Sequence, residues 1–114
     1  MATYTLLEIW KPRPEWYALP NAHKRKFIGK IRETLGTLDQ SGAKLLGLWR
    51  CRATSEGGWD VMAYWQFPSF QAIEELIDGN EKFGWNRYFD QKNMVGKSIT
   101  AEEWCSASEI DTEL

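Results

Sequence analysis

The sequence has a single histidine and two cysteines among its 114 residues. Cys51 and Cys105 are far apart and share no metal-type spacing. That spacing carries no zinc-site signature, and free thiols in a reducing compartment are expected. One histidine without a cluster of carboxylates also argues against a non-haem metal centre. No Gly-rich phosphate loop and no Gly-x-Ser-x-Gly elbow occurs, which removes the common nucleotide-binding and serine-hydrolase signatures. Cations are not in excess: 14 Lys and Arg stand against 16 Asp and Glu, for a net charge of −2. That balance offers no electrostatic footprint for nucleic acid. No apolar run approaches the roughly 18 residues of a membrane span. The opening stretch Met1 to Trp10 lacks the basic and long apolar regions of a secretory leader, so a cytoplasmic location is expected.

Tryptophan is what the sequence has in abundance, with seven residues. Trp seldom crowds a bare surface, so an aromatic-lined core, a pocket or a subunit interface is expected. The strongest strand signal runs from Trp59 to Phe67. Its alternating sets are both largely apolar: Trp59, Val61, Ala63, Trp65 and Phe67 on one side, Met62 and Tyr64 on the other. Such a strand is covered on both faces. Pro68 ends it, and Ser69 is placed to cap a helix.

Residues Thr3 to Trp10 read as another two-sided strand, with Glu8 the exception among apolar neighbours. Glu15 to Leu19 reads as one helical turn before Pro20. Asn21 reads as the N-cap of a long helix from Ala22 to about Gln40, with an apolar stripe of Phe27, Ile28, Ile31, Leu35 and Leu38. Ser41-Gly42 is its stop. Ala43 to Ala53 is a second strand, joined through Ser55 to Gly58 by a hairpin turn. A helix follows from Ser69 to about Asp78, broken by Gly79-Asn80, then a helical piece from Glu81 to Phe89 and a strand from Asn93 to Ile99. Thr100 to Glu103 has a capping-box pattern, so a short helix near Trp104 is expected, followed by an acidic tail.

The order β-α-β-β-α-β implies an α+β ferredoxin-like fold: a four-stranded antiparallel sheet with helices on one face. Its outer sheet face is also apolar and needs a cover, which a homodimer through that face would supply. The domain is expected over residues 1–99, with 100–114 as an extension.

This order, the apolar outer face and the Trp-rich interior resemble the dimeric α+β barrel superfamily over roughly residues 3–99. Its members include cofactor-independent monooxygenases, plant polyketide cyclases and small uncharacterised proteins. The nearest local likeness, to the cyclases, is Phe67 to Phe89. Where the cyclases carry a helical tyrosine and a following histidine, this chain has Leu76 and the stretch Asp78 to Lys82, without histidine. The resemblance implies a pocket between the sheet and its helices. Tyr4, Leu6, Glu8 and Trp10 would face it from the first strand, Phe27 and Ile31 from the helix, and Val61, Ala63 and Trp65 from the central strand.

Three side chains stand out for chemistry. Glu8 lies in an apolar strand, where desolvation would raise its pKa toward general-base values. The alternative is a structurally satisfied carboxylate. His23, in the first helical turn, titrates near neutrality, or is simply a wet helix start. Tyr4 is a candidate donor to an enolate or phenolate, or a core tyrosine with its hydroxyl at the rim. Trp10, Trp65, Trp85 and Tyr88 are candidate walls for a flat aromatic ligand, or plain core. The expected function is a cofactor-independent enzyme of monooxygenase, cyclase or lyase type acting on an aromatic or polyketide-like molecule. A ligand-binding module without turnover and a dimerisation scaffold are the alternatives.

Overall fold

A computed structural model describes residues 3–52 and 56–106. The elements follow in the order β1 (Tyr4–Pro12), α1 (Pro14–Tyr17), α2 (Asn21–Gln40), β2 (Lys44–Arg50), β3 (Val61–Phe67), α3 (Phe70–Phe83), α4 (Trp85–Tyr88), β4 (Phe89–Lys97) and α5 (Ala101–Ser106). The four strands form one antiparallel sheet in the order β2-β3-β1-β4. This is a ferredoxin-like α+β fold.

Alternation decides which side chains meet. Leu6 pairs with Trp65 and Val95, and Glu8 pairs with Ala63 and Asn93. Because strand side chains alternate, Leu6, Glu8, Ala63, Trp65 and Phe67 share the face covered by the helices. There Leu6, Phe67 and Ile73 are buried almost completely and make the heart of the core. Each such side chain contributes roughly 1.5–3 kcal/mol by leaving water. The opposite face keeps Leu46, Trp49, Tyr64 and Met94 exposed, with Leu7, Ile9 and Met62 half-buried among them.

A bulge between Leu45 and Gly47 adjusts the edge strand β2. Leu45 opposes Trp65 and Leu48 opposes Ala63, so the extra residue puts both leucines on the helix side. It also turns Trp49 to the outer face. The Trp49 ring lies over Gly47, where a side chain would collide with it.

The long helix α2 is attached at its ends. At the start, Phe27 packs among Trp16, Phe83, Trp85, Tyr88 and Phe89. At the end, Gly42 takes φ +95. Ala43 N–H donates to the Leu38 carbonyl and Gly42 N–H to the Asp39 carbonyl, which is a Schellman closure. Between these anchors no residue of α2 is buried.

Several boundaries differ from the sequence-based expectation. Asn21 is the first residue of α2, and Pro20 occupies the N-cap position without a side-chain cap. Gly79 and Asn80 do not break α3, which runs unbroken to Phe83 and stops where Gly84 adopts φ 94. The apolar spacing continues through Phe83, and a helix needs a left-handed residue to end this way. Phe89 begins β4 rather than ending a helix, because pairing with Pro12 extends the ladder. The β2–β3 hairpin turn is described from Glu56, with Gly57 and Gly58 at positive φ; residues 53–55 lie outside the described residues. Ser69 caps α3 as expected, its hydroxyl accepting from Ala72 N–H at 3.1 Å. In α5, Thr100 and Glu103 form a reciprocal capping box, and the acidic tail from Glu109 lies outside the described residues. No described helix is long and apolar enough to cross a membrane.

Candidate functional site

Because α2 stands off the sheet, a cavity of about 650 Å³ opens beneath it. That size lies within the range of roughly 300–1,000 Å³ typical of small-molecule pockets. The sheet supplies its floor with Glu8, Trp10, Ala63, Trp65 and Phe67. Ile31, Thr34, Leu35 and Leu38 of α2 form one wall, and Ala72, Glu75, Leu76, Gly79, Asn80 and Phe83 of α3 the other. Trp85 also contributes to the lining, and Leu45 and Leu48 form part of it from the edge strand. Leu48 is 57% exposed, so the cavity is reached past β2.

Glu8 is the chemical centre of the floor. It is the only charged side chain buried among the described residues, at 6% exposure. Trp65 Nε1–H donates to its Oε1 at 2.7 Å, and Gln91 Nε2–H to its Oε2 at 2.6 Å. Gln91 also donates to Asn93 Oδ1 at 2.7 Å. Burial raises the Glu8 pKa above the usual glutamate value, and the bonds from Gln91 and Trp65 oppose that rise without cancelling it. Loss of hydration penalises the charged form, whereas donors aimed at the carboxylate favour it. The result is a fixed, unusually basic carboxylate facing apolar space. Gln91 Oε1 is buried with no hydrogen-bond partner. A half-turn of that amide would present this oxygen to Glu8, where it would suit the neutral acid. Beyond Gln91 lies a smaller polar recess of about 290 Å³, with Arg13, Asn86, Asp90 and Asn93 in its wall.

The residues singled out from sequence separate into three groups. Glu8, Trp10, Ile31, Trp65 and Trp85 line the cavity. Phe27 and Tyr88 belong to the aromatic cluster beside it, where their rings stand edge to face at 5.3 Å. Leu6 is sealed in the core, and Val61 is half-buried outside the lining. Tyr4 packs against the core but does not line the cavity, and His23 is exposed at the start of α2. The α3 wall, the two β2 leucines and Gln91 were not anticipated. Once α3 is taken as continuous, its spacing of three and four reveals that wall. Gln91 is 83 residues from Glu8, and no local signal joins them.

The lining contains no histidine, cysteine, methionine or tyrosine, so its donor set does not fit an axial ligand for haem iron. Among the described residues no group of His, Cys, Asp and Glu is arranged to hold a metal ion. Cys51 and Cys105 are both free.

A family model covers residues 3–109. The chain belongs to DUF6616, a family of unknown function. None of the curated proteins compared with it matches in sequence. Among solved structures it is similar to an arginine-to-alanine mutant of chlorite dismutase from Candidatus Nitrospira defluvii. The TM-score is 0.75 at 11% identity, over 94% of this chain and 44% of the other. The same enzyme in complex with imidazole matches with a TM-score of 0.74 at 11% identity, over 94% and 44%. Its tryptophan-to-phenylalanine mutant with cyanide gives 0.73 at 11% identity, over 86% and 40%. This DUF6616 chain thus spans less than half the length of those chains, and at such identity the likeness establishes the fold.

Proposed function

We propose that this protein is a small homodimeric pocket protein that binds an aromatic or polyketide-like molecule beneath α2 and acts on it without a cofactor. The observation that carries this reading is the placement of Glu8, a buried carboxylate held by two donors on the floor of a mostly apolar cavity. A ligand seated there excludes water, which strengthens every electrostatic interaction around the carboxylate. Ionised Glu8 takes a proton from an acidic C–H or phenolic O–H, and Trp65 and Gln91 hold it in one orientation meanwhile. Proton abstraction of this kind serves a monooxygenase, a cyclase or a lyase alike.

Binding without turnover is the second reading. It is favoured by the absence of Tyr4 and His23 from the lining, which leaves, apart from Glu8 and Glu75, the hydroxyls of Thr34, Ser41 and Ser69, the amide of Asn80 and the indole N–H groups of its tryptophans as its polar side-chain groups. None of these matches a tyrosine or a histidine as an acid partner for a developing enolate.

Dimerisation through the outer sheet face is supported by Leu46, Trp49, Tyr64 and Met94, which together leave an apolar surface in water. A second copy covers it by two-fold symmetry.

A panel of small phenols and aromatic ketones, screened by tryptophan fluorescence and then by turnover, tests the reading. Glu8→Gln should keep binding and lose turnover by about a hundredfold or more, the usual contribution of a general base. Equal turnover by both proteins would remove Glu8 from the mechanism and leave the binding role.

A further inference from the structure

Glycine in the middle of a helix is unfavourable, so it invites a reason. Three glycines lie inside the long helices: Gly29 and Gly36 in α2, and Gly79 in α3. None has a positive φ, and a Cβ added at any of them would meet nothing within 4 Å. Backbone conformation and protein packing therefore explain none of the three. Their positions differ, however. Gly29 and Gly36 fall off the lining positions of α2, whereas Gly79 is itself in the cavity wall. It lies four residues after Glu75, three after Leu76 and four before Phe83, all of which line the same space. Residues three and four apart share a helix face, so the absent side chain of Gly79, an exposed part of the wall, leaves open space on the cavity side of α3.

The charge of the wall gives a second, independent restriction. Glu8 and Glu75 line the cavity, and no lysine, arginine or histidine does. An anion entering this space would lose its hydration without gaining a counter-ion, and it would meet the exposed Glu75 carboxyl and, deeper in, the buried Glu8.

We infer that Gly79 is the specificity-determining position of the cavity, and that the ligand is an uncharged planar molecule lying against the α3 backbone between Glu75 and Phe83. This rests on the pocket reading above and narrows it: carboxylic acids, phosphates and other anionic aromatics are excluded as ligands, and neutral ketones and phenols are admitted. A side chain at residue 79 occupies the ligand's space without disturbing the fold.

The test uses two naphthalene probes of similar size. Prodan is an uncharged ketone, and anilinonaphthalene sulfonate is an anion. Wild-type protein should bind prodan at least about tenfold more tightly than the sulfonate. Gly79→Ala should weaken prodan binding slightly, and Gly79→Leu by about tenfold or more, as extra methylenes do in a filled space. Both variants should melt at or above the wild-type temperature, because a helix gains from losing glycine; Gly36→Ala should share that gain and leave prodan binding unchanged. Prodan binding by Gly79→Leu within twofold of wild type, or sulfonate binding as tight as prodan, would overturn the inference while the pocket stands. Wild-type protein that binds neither probe would overturn both.

Discussion

Glu8 concentrates the functional question in one residue, and its protonation carries a thermodynamic signature. The folded protein raises its pKa by desolvation, so the native state binds this proton more tightly than the unfolded chain. Below the unfolded value both states are protonated and the contribution to stability is fully present. As pH rises from the unfolded value through the raised folded one, the unfolded chain ionises first and that stability is lost. Glu8→Gln does not titrate, so its stability relative to wild type should improve as pH rises from the ordinary glutamate value, about 4.3, into the neutral range. Urea unfolding at both ends of that range measures it; parallel behaviour of the two proteins would mean an unperturbed Glu8. Leu6, fully buried next to it on the same strand face, gives a plain packing comparison. Leu6→Ala should cost about 2–5 kcal/mol at any pH, through the lost burial of its methyl groups and the cavity it leaves. Glu8 was legible in the sequence because a charge inside an apolar strand is conspicuous. Its partners were not, because Trp65 and Gln91 reach it only through sheet pairing.

At the scale of elements, the periodic pieces were legible and the punctuation was not. β1 and β3 announce themselves by their aromatic and β-branched content, apolar on both sides, and α2 by its stripe. Glycine alone does not reveal which of its conformations it will take. Gly79 stays helical and Gly84 turns left-handed, so the end of α3 falls five residues later than the first glycine suggests. The same contrast yields a prediction. Gly84→Ala should destabilise by about 1 kcal/mol or more, since a Cβ strains the left-handed region. Gly36→Ala, helical and unobstructed, should stabilise by about 0.5–1 kcal/mol. Thermal melts of the two variants should therefore move in opposite directions. The bulge in β2 was equally hidden: the run Leu45-Leu46-Gly47-Leu48-Trp49 does not show that Leu45 and Leu48 will share a face. Only pairing with β3 decides it, and it supplies the cavity with its two edge leucines.

For the whole molecule, two apolar surfaces remain after the core is closed. One is the inside of the cavity under α2; the other is the outer sheet face around Trp49 and Met94. The occupants proposed for them differ, a small molecule and a second copy, and they are separable by experiment. Light scattering at micromolar concentration should give twice the mass of the chain. Met94→Asp, which puts a charge on the outer face, should give the single mass and retain ligand binding. A wild-type monomer would contradict the homodimer and leave the cavity untouched.

The tryptophans supply the most direct check on the cavity itself, because their seven indole N–H groups report from different parts of the molecule. A nitrogen–proton correlation spectrum of labelled protein, titrated with prodan, reads them together. Trp10, Trp65 and Trp85 line the cavity, and the Trp65 N–H is bonded to Glu8. Trp49 and Trp104 are exposed outside it. The expected result is movement of the Trp10, Trp65 and Trp85 signals with a common saturating affinity, while Trp49 and Trp104 stay in place. Saturable shifts confined to Trp49 or Trp104, or no saturable shift at all, would contradict a ligand site on Glu8.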